Sequence, residues 1–597
     1  MARDDAGFLP LSDYAALGDG RAVALSGVDG GIDWWCVPNM DSPPLFDRLL
    51  IGQDALENGA RAGHFTIAPQ GDFTATRRYR PDSNVLETRF VTPSGIALLT
   101  ESLNSGTAGR LPWAELARRV EVLEGEVTFD ITLQLGHRAG SRSPYMACSG
   151  PYETFHVGSV LGLFLHGDGV RVTMREDDAI HATLSLAAGG REVLAIVAGA
   201  NEPLVVPDLD QIDARINLSD REWRDWCAGI ETGPQDRDFL LRQVLALKLL
   251  LYAPSGAIAA AATTSLPERI GGDKNYDYRF AWVRDAGYVI TSFLRLGMMA
   301  EAKAALTWLL NQLCAHGARV CFALDGGVEE EMEEVPVPGY RGSRPVLSGN
   351  RAARQHQHGT YGDIFETVHD FVEAGGLIDG RSARTLSMLA DDCADRWKEK
   401  DAGIWELPDQ QHYTMSKISC WQALNRAVQL ADAGHLPTTC RDRWSRERDR
   451  IADWIDARCW DEGIGAYVMH PGTTRLDAAL ILAVRFGFDR PERLRRTLDA
   501  IQARLGAGGH LHYRYTGMDR EEGCFLACSF WMVEARALMG QHDAARVLME
   551  GLRGRIDAAP GILPEMIDPD SGEWLGNMPQ GLSHLAALQA CLALQRV

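Results

Sequence analysis

The sequence predicts a multidomain α and β chain, with an N-terminal antiparallel β-sandwich followed by helices that six hairpins would close into an (α/α)6 barrel. Two observations carry this reading. The apolar residues recur with a period of about 2 in the first third of the chain and of about 3.6 from residue 236 onward. At 597 residues the chain also exceeds what one core ordinarily serves, so two or more units are expected.

In the first part, Val127, Phe129, Ile131, Leu133 and Leu135 alternate with Thr128, Asp130, Thr132 and Gln134, as on a half-buried strand. Val170, Val172 and Met174 repeat the pattern after the turn signal Gly167-Asp168-Gly169. Many short segments of this kind, broken by Gly, Asp and Pro, predict the sandwich over 1–215. The charged, Trp-bearing stretch 216–238 reads as a linker, and 239–597 as the helical unit. There, Leu240, Val244, Leu247 and Leu251 form the first helical stripe. Eleven further segments follow near 283–297, 299–316, 360–376, 381–400, 416–433, 440–460, 473–488, 490–505, 520–539, 541–556 and 582–596. A looser helical array would leave the same pattern, and no internal repeat separates the two.

The balance of 60 Lys+Arg against 81 Asp+Glu gives −21, which disfavours nucleic acid and anionic membranes as partners; a neutral sugar is compatible with it. Twelve cysteines without a C-x-x-C pair read as buried thiols, including Cys524 and Cys528 on one helix face. The N-terminus has no long apolar stretch, and no apolar run reaches bilayer length; a cytoplasmic location is the expectation. The acidic run Glu329–Glu334, interrupted by Met332, reads as a solvated loop. Whether copies of the chain associate is left open.

Three loops between helices gather polar and aromatic residues. In the first, Tyr276, Tyr278, Phe280 and Trp282 precede the adjacent Arg284 and Asp285. Aromatic faces pack on the C–H side of a pyranose, and a charged pair takes its hydroxyls. A structural ion pair at a helix start would look the same. The second loop sets Glu406 beside Trp405, where desolvation against an apolar ring would keep a carboxyl protonated. The third carries Glu565, followed by Gly576-Asn577-Met578-Pro579-Gln580. Two carboxylates on loops that a barrel gathers at one end allow an acid–base pair.

The chain resembles glycoside hydrolase family 15, the glucoamylases, glucodextranases and trehalases, in its bacterial branch. The likeness runs almost end to end, through Leu17-Gly18-Asp19-Gly20-Arg21, Gly31-Ile32-Asp33-Trp34-Trp35-Cys36-Val37-Pro38 and Asp41-Ser42-Pro43. It continues through Thr264-Ser265-Leu266-Pro267-Glu268, Trp282-Val283-Arg284-Asp285, Pro338-Gly339-Tyr340-Arg341-Gly342-Ser343-Arg344-Pro345-Val346 and Cys528-Ser529-Phe530-Trp531. The resemblance implies the sandwich joined to an (α/α)6 barrel and inversion at the anomeric carbon of an α-glucoside. It further implies Glu406 as general acid and Glu565 as general base. Arg284 and Asp285 would hold the terminal glucose, in a pocket lined by Tyr278, Trp282 and Trp405. No metal or cofactor is expected in the chemistry. An inverting pair stands about 6.5–9.5 Å apart, leaving room for a water.

Two departures from the family pattern bear on substrate choice. Gly359 and Met566 stand where acidic or polar residues are usual, and both are expected to alter the pocket around the leaving sugar. His356-x-His358 and His510-x-His512 lack an acidic or Cys partner at ligand spacing and read as solvated or hydrogen-bonding histidines. Rival functions are a glycoside phosphorylase, which needs one general acid only, and a non-catalytic sugar-binding protein on the same scaffold.

Overall fold

The computed structural model describes residues 3–52, 61–105, 111–136, 144–233, 235–557 and 560–595. Its first 200 residues form two packed antiparallel sheets, and one strand belongs to both. Ala114–Gln134 pairs through its first half with Gly95–Leu103 and Arg191–Ala200, and through its second half with His64–Pro69 and Ala179–Ala187. The bend falls at Leu123–Glu126, which are exposed, where the register against Ile96 and Ala97 slips by one residue. A bulge of this kind turns a strand from one sheet into the other. The alternation noted in Val127–Leu135 is therefore real and marks the second half of this strand.

Strands Tyr14–Gly18, Val23–Gly27 and Gly31–Cys36 are buried on both faces. Ala15, Leu17, Ala24, Ile32 and Trp35 point into the sandwich core. Tyr14, Ala16, Val23, Leu25, Trp34 and Cys36 join the core of the helical unit. Trp34 donates its indole N–H to the Ala262 carbonyl at 3.0 Å, and Tyr340 donates its hydroxyl to the Leu9 carbonyl at 2.8 Å. The motifs 31–38 and 338–346 thus meet at the seam between the two units.

A one-turn helix, α1 (Arg48–Ile51), lies within the sandwich. Helix α2 (Leu209–Ala228) occupies most of the stretch read as a linker. Asp208 caps it, accepting from the amides of Asp210 and Gln211, and Ile212 and Ile216 pack on the sandwich. Its density of charge and tryptophan had hidden an amphipathic helix.

Twelve further helical segments follow among the described residues: α3 (Arg237–Leu250), α4 (Val283–Arg295), α5 (Met299–His316), α6 (Gly359–Glu373), α7 (Gly380–Arg396), α8 (Thr414–Asp432), α9 (Arg441–Arg458), α10 (Leu482–Arg485), α11 (Pro491–Leu505), α12 (Leu526–Leu538), α13 (His542–Ile556) and α14 (Gly581–Gln595). A 3-10 turn, Ala478–Ile481, leads into α10. Helices α4, α6, α8, α10, α12 and α14 pack side by side into a closed inner ring, and the alternate helices lie outside it. This is the (α/α)6 barrel. The inner helices are buried on almost every face, α12 from Leu526 to Ala537 without a break. Outer helices such as α7 and α11 keep one apolar stripe.

Nine of the twelve cysteines are buried. Among the described residues no helix is long and apolar enough to cross a membrane. The acidic run is only partly a loop: Met332–Val335 forms a strand against Val346–Gly349, with its glutamates exposed.

The seam gives a first prediction. Trp34→Ala should cost about 3–5 kcal/mol in denaturant unfolding, because a fully buried indole leaves a cavity. Trp34→Phe keeps most of the packing but orphans the Ala262 carbonyl, at about 1–3 kcal/mol. Equal stability of both variants and the parent would mean that the two units do not unfold together.

Candidate active site

All six inner helices begin at one end of the barrel, and the loops entering them line a single cavity of about 620 Å³. Trp282 and the first turn of α4 supply one wall, Gln355 precedes α6, and Trp405 to Tyr413 precede α8. Met469, His470 and Arg475 lie before the turn into α10, Arg514 to Phe525 before α12, and Glu565 and Gln580 before α14. Four of these helices, α4, α6, α8 and α12, start on Trp282, His358, Tyr413 and Phe525, whose side chains do not cap them. Their aligned dipoles make this mouth favourable to negative charge.

The loop Asn275–Asp285 is fixed from the sandwich side. Arg279 grips Asp277 through two bonds at 2.9 and 2.7 Å and donates to the Ser42 carbonyl at 3.0 Å. Asp277 in turn accepts from the Gly349 amide at 3.2 Å. This holds Tyr278 and Trp282 edge to face, with ring centres 5.5 Å apart.

Each aromatic serves one glutamate. The Trp282 indole N–H donates to Glu406 at 2.8 Å, and the Tyr278 hydroxyl donates to Glu565 at 3.0 Å. Glu406 sits at the end of the turn 403–406 with φ +60°, a left-handed backbone that non-glycine residues seldom adopt. Its carbonyl is held by Gln355 at 3.2 Å. Trp405 is anchored by its indole N–H to Asp477 at 2.7 Å and lies against Phe525 and Trp531. Burial raises the pKa of Glu406, against the opposing pull of the Arg284 guanidinium and the Trp282 N–H.

Arg284 and Asp285 form a two-pronged pair at 2.9 and 3.3 Å, with Asp285 buried and Arg284 partly open to the cavity. Arg284 also donates to the Ile404 carbonyl at 3.2 Å, so the pair braces the loop that carries Glu406. The pair is thus both structural and exposed to a ligand, and the two readings left open by the sequence coexist.

Glu565 is buried, and burial raises its pKa against the charge of Arg514, the Tyr278 hydroxyl and the Asn577 amide. Arg514 binds Glu522 and Glu268 and lies over the Trp405 ring at 5.7 Å. Lys274 completes this network on Glu522 at 3.0 Å. Arg514, Lys274, Arg351 and Arg475 line the cavity but escaped the sequence reading, since isolated cations carry no spacing signal. Tyr513-Arg514-Tyr515, an arginine between two aromatics before a helix, was the one usable clue.

All seven sequence-predicted residues, Tyr278, Trp282, Arg284, Asp285, Trp405, Glu406 and Glu565, line this cavity. The two departures do not. Met566 is buried in a small three-stranded sheet with Phe525 and Leu575. Gly359 borders a separate small void behind Trp282 and Arg284. Both expectations of a pocket altered at these positions are thereby corrected: a strand register and a helix start turn them away from it. Met332, from the acidic run, does reach the cavity.

Gly576 is tied to Glu565. Its φ is +75°, and a Cβ there would lie 2.4 Å from a Glu565 carboxyl oxygen and 2.5 Å from its Cβ. Gly576→Ala is therefore expected to displace the Glu565 carboxyl and to cost about 1–3 kcal/mol in thermal unfolding. Adding Glu565→Ala should recover part of the loss; a simple sum of the two single effects would count against the clash.

Comparison with known proteins places this geometry. Residues 234–553 match the model of glycosyl hydrolases family 15, and residues 6–112 match a trehalase-like N-terminal domain. The chain is 31% identical to a trehalase of Mycolicibacterium smegmatis, over 99% of this chain and 92% of that protein. It is 28% identical to a trehalase of Thermoplasma volcanium, over 99% and 94%. Its fold is similar to that of a bacterial glucoamylase solved with acarbose, with a TM-score of 0.70 at 12% identity, covering 100% of this chain and 95% of that one. With the family's model matching more than half of its length, the chain belongs to glycosyl hydrolases family 15 and is a glycoside hydrolase.

Proposed function

We propose that the protein is an inverting, exo-acting α-glucosidase that releases β-glucose, with trehalose as its first substrate and the non-reducing ends of α-glucan oligosaccharides as its second. The observation that carries this is two carboxyls, one buried and one half-buried, from loops 159 residues apart in sequence, lining one cavity with an arginine–aspartate pair. The likeness of the whole chain to trehalases supports trehalose over longer glucans.

In this reading Glu406 protonates the glycosidic oxygen. Its raised pKa keeps the proton available, and the Trp282 N–H fixes its direction. Glu565 takes a proton from the attacking water, with the Tyr278 hydroxyl and the Asn577 amide fixing its two oxygens. Arg284 and Asp285 take the hydroxyls of the terminal glucose, and Tyr278, Trp282 and Trp405 give it apolar faces. Positive charge developing on the ring is stabilised by the carboxylates. Water serves as nucleophile through Glu565, so phosphorolysis, which needs no such base, is disfavoured; turnover in phosphate-free buffer separates the two.

Glu406→Gln and Glu565→Gln should each lower kcat by more than about 100-fold while the fold survives, as general acid–base catalysis alone is worth that much. Near-normal turnover in either variant would remove its role. Proton NMR immediately after mixing with trehalose should detect one β-glucose and one α-glucose per bond; α-glucose alone would exclude inversion. The acidic limb of kcat/KM should lie above the ordinary carboxylate range, because a buried base must still ionise. Arg514→Met removes the cation that favours that ionised form, so the limb should move to higher pH by about one unit or more. An unmoved or lowered limb would show that Glu565 does not set it.

A further inference from the structure

The histidines of the segment before α6 are not solvated. His358 is fully buried, and His356 is half-buried. Neither ring nitrogen of His358, nor Nε2 of His356, has a hydrogen-bond partner within the protein. Native interiors rarely leave such atoms unsatisfied without a water or an ion to meet them. An acidic partner is also present, although 41 residues beyond His358 in sequence: one donor atom each from His356, His358 and Glu399 lie within 4.8 Å of one another.

We propose that His356, His358 and Glu399 form a structural site for a first-row divalent metal ion of the zinc type, clamping the segment that enters α6 to the turn that follows α7. Two imidazoles and a carboxylate are a donor set that such an ion accepts, with water in the fourth position. The surroundings supply the rest of the site. Nδ1 of His358 faces Asp401 at 4.0 Å, which leaves Nε2 for the metal and sets a carboxylate behind the imidazole. Asp401 is itself held by the His358 amide at 2.9 Å and the Ser416 hydroxyl at 2.8 Å. Lys417 ties the carbonyls of Trp397 and Glu399, each at 2.6 Å, and so fixes the turn. Arg396 takes Oε2 of Glu399 at 3.1 Å, leaving the other oxygen free.

The clamp has a target. Asp401 opens the loop that carries Glu406, and Ala402 in that loop donates its amide to the His356 carbonyl at 3.0 Å. Gln355, the next residue back, holds the Glu406 carbonyl. An ion here would stiffen the support of the Glu406 turn from behind without entering the cavity. The second pair, His510-x-His512, has no third ligating group within reach among the described residues and carries no such site.

The test uses the full chain, stripped with EDTA and titrated with Zn²⁺ and with Co²⁺ by calorimetry and absorption. One saturable site per chain is expected, with visible Co²⁺ bands and a thermal midpoint that rises with free metal. His356→Ala and Glu399→Gln should each weaken binding by more than about 10-fold, the least that loss even of an outer support costs. Glu399 is exposed, unlike His358, so that variant should fold and its circular dichroism should match the parent. Absence of saturable binding, or affinity unchanged in Glu399→Gln and His356→Ala, would overturn the site. Neither readout depends on catalytic turnover, so the outcome is independent of the roles of Glu406 and Glu565.

Discussion

Everything at the active end depends on one constraint: six inner helices close a ring with all their N-termini at the same mouth. A barrel built this way must return each chain segment through an outer helix, and every inner helix is then entered by a loop that faces the cavity. Those loops are backbone at the barrel mouth not committed to helical hydrogen bonds, so side chains with chemistry are placed there. The same arrangement aims the helix dipoles at the cavity and eases the burial of Asp285 and Glu565, which would otherwise be costly.

Within that mouth, position is transmitted by a few polar contacts on rigid rings. Trp282 and Tyr278 sit on one loop and each orients a different glutamate, so a shift of that loop would move both together. Arg279 and Asp277 hold the loop, and through Ser42 they anchor it to the sandwich. The β unit is therefore a part of the scaffold of the site, although none of its described residues lines the cavity. On the far side, Arg514 lies between the base and the Trp405 ring, with Glu268 and Glu522 neutralising it.

The change of hydrophobic period made both units and their order readable, because it follows from burial geometry alone. Ten of the twelve barrel segments lie within a few residues of the expected bounds, while the helix expected from residue 520 begins at Leu526. The segment read over 473–488 shrinks to Ala478–Arg485, since Arg475 and Asp477 are drawn into the cavity wall and the turn. Glu406, Glu565 and the arginine–aspartate pair were legible through family motifs, not through spacing, for single carboxylates in loops have no period. Arg514, Lys274 and Arg475 were not legible, and neither was the meeting of Glu399 with His356: such contacts are made by chain segments far apart in sequence, which only closure of the ring brings together. The helix α2 was missed because a surface helix rich in charge offers few apolar positions to its stripe.

The double-faced strands at the start of the chain have a consequence for biosynthesis. Tyr14, Leu25 and Trp34 leave the ribosome well before Arg237, where the helices that cover them begin. At about 5–20 residues per second, roughly 200 residues of further translation leave that apolar sheet face waiting for about 10–40 s. The nascent sandwich must spend this interval either shielded by a chaperone or exposed to its neighbours on the same message.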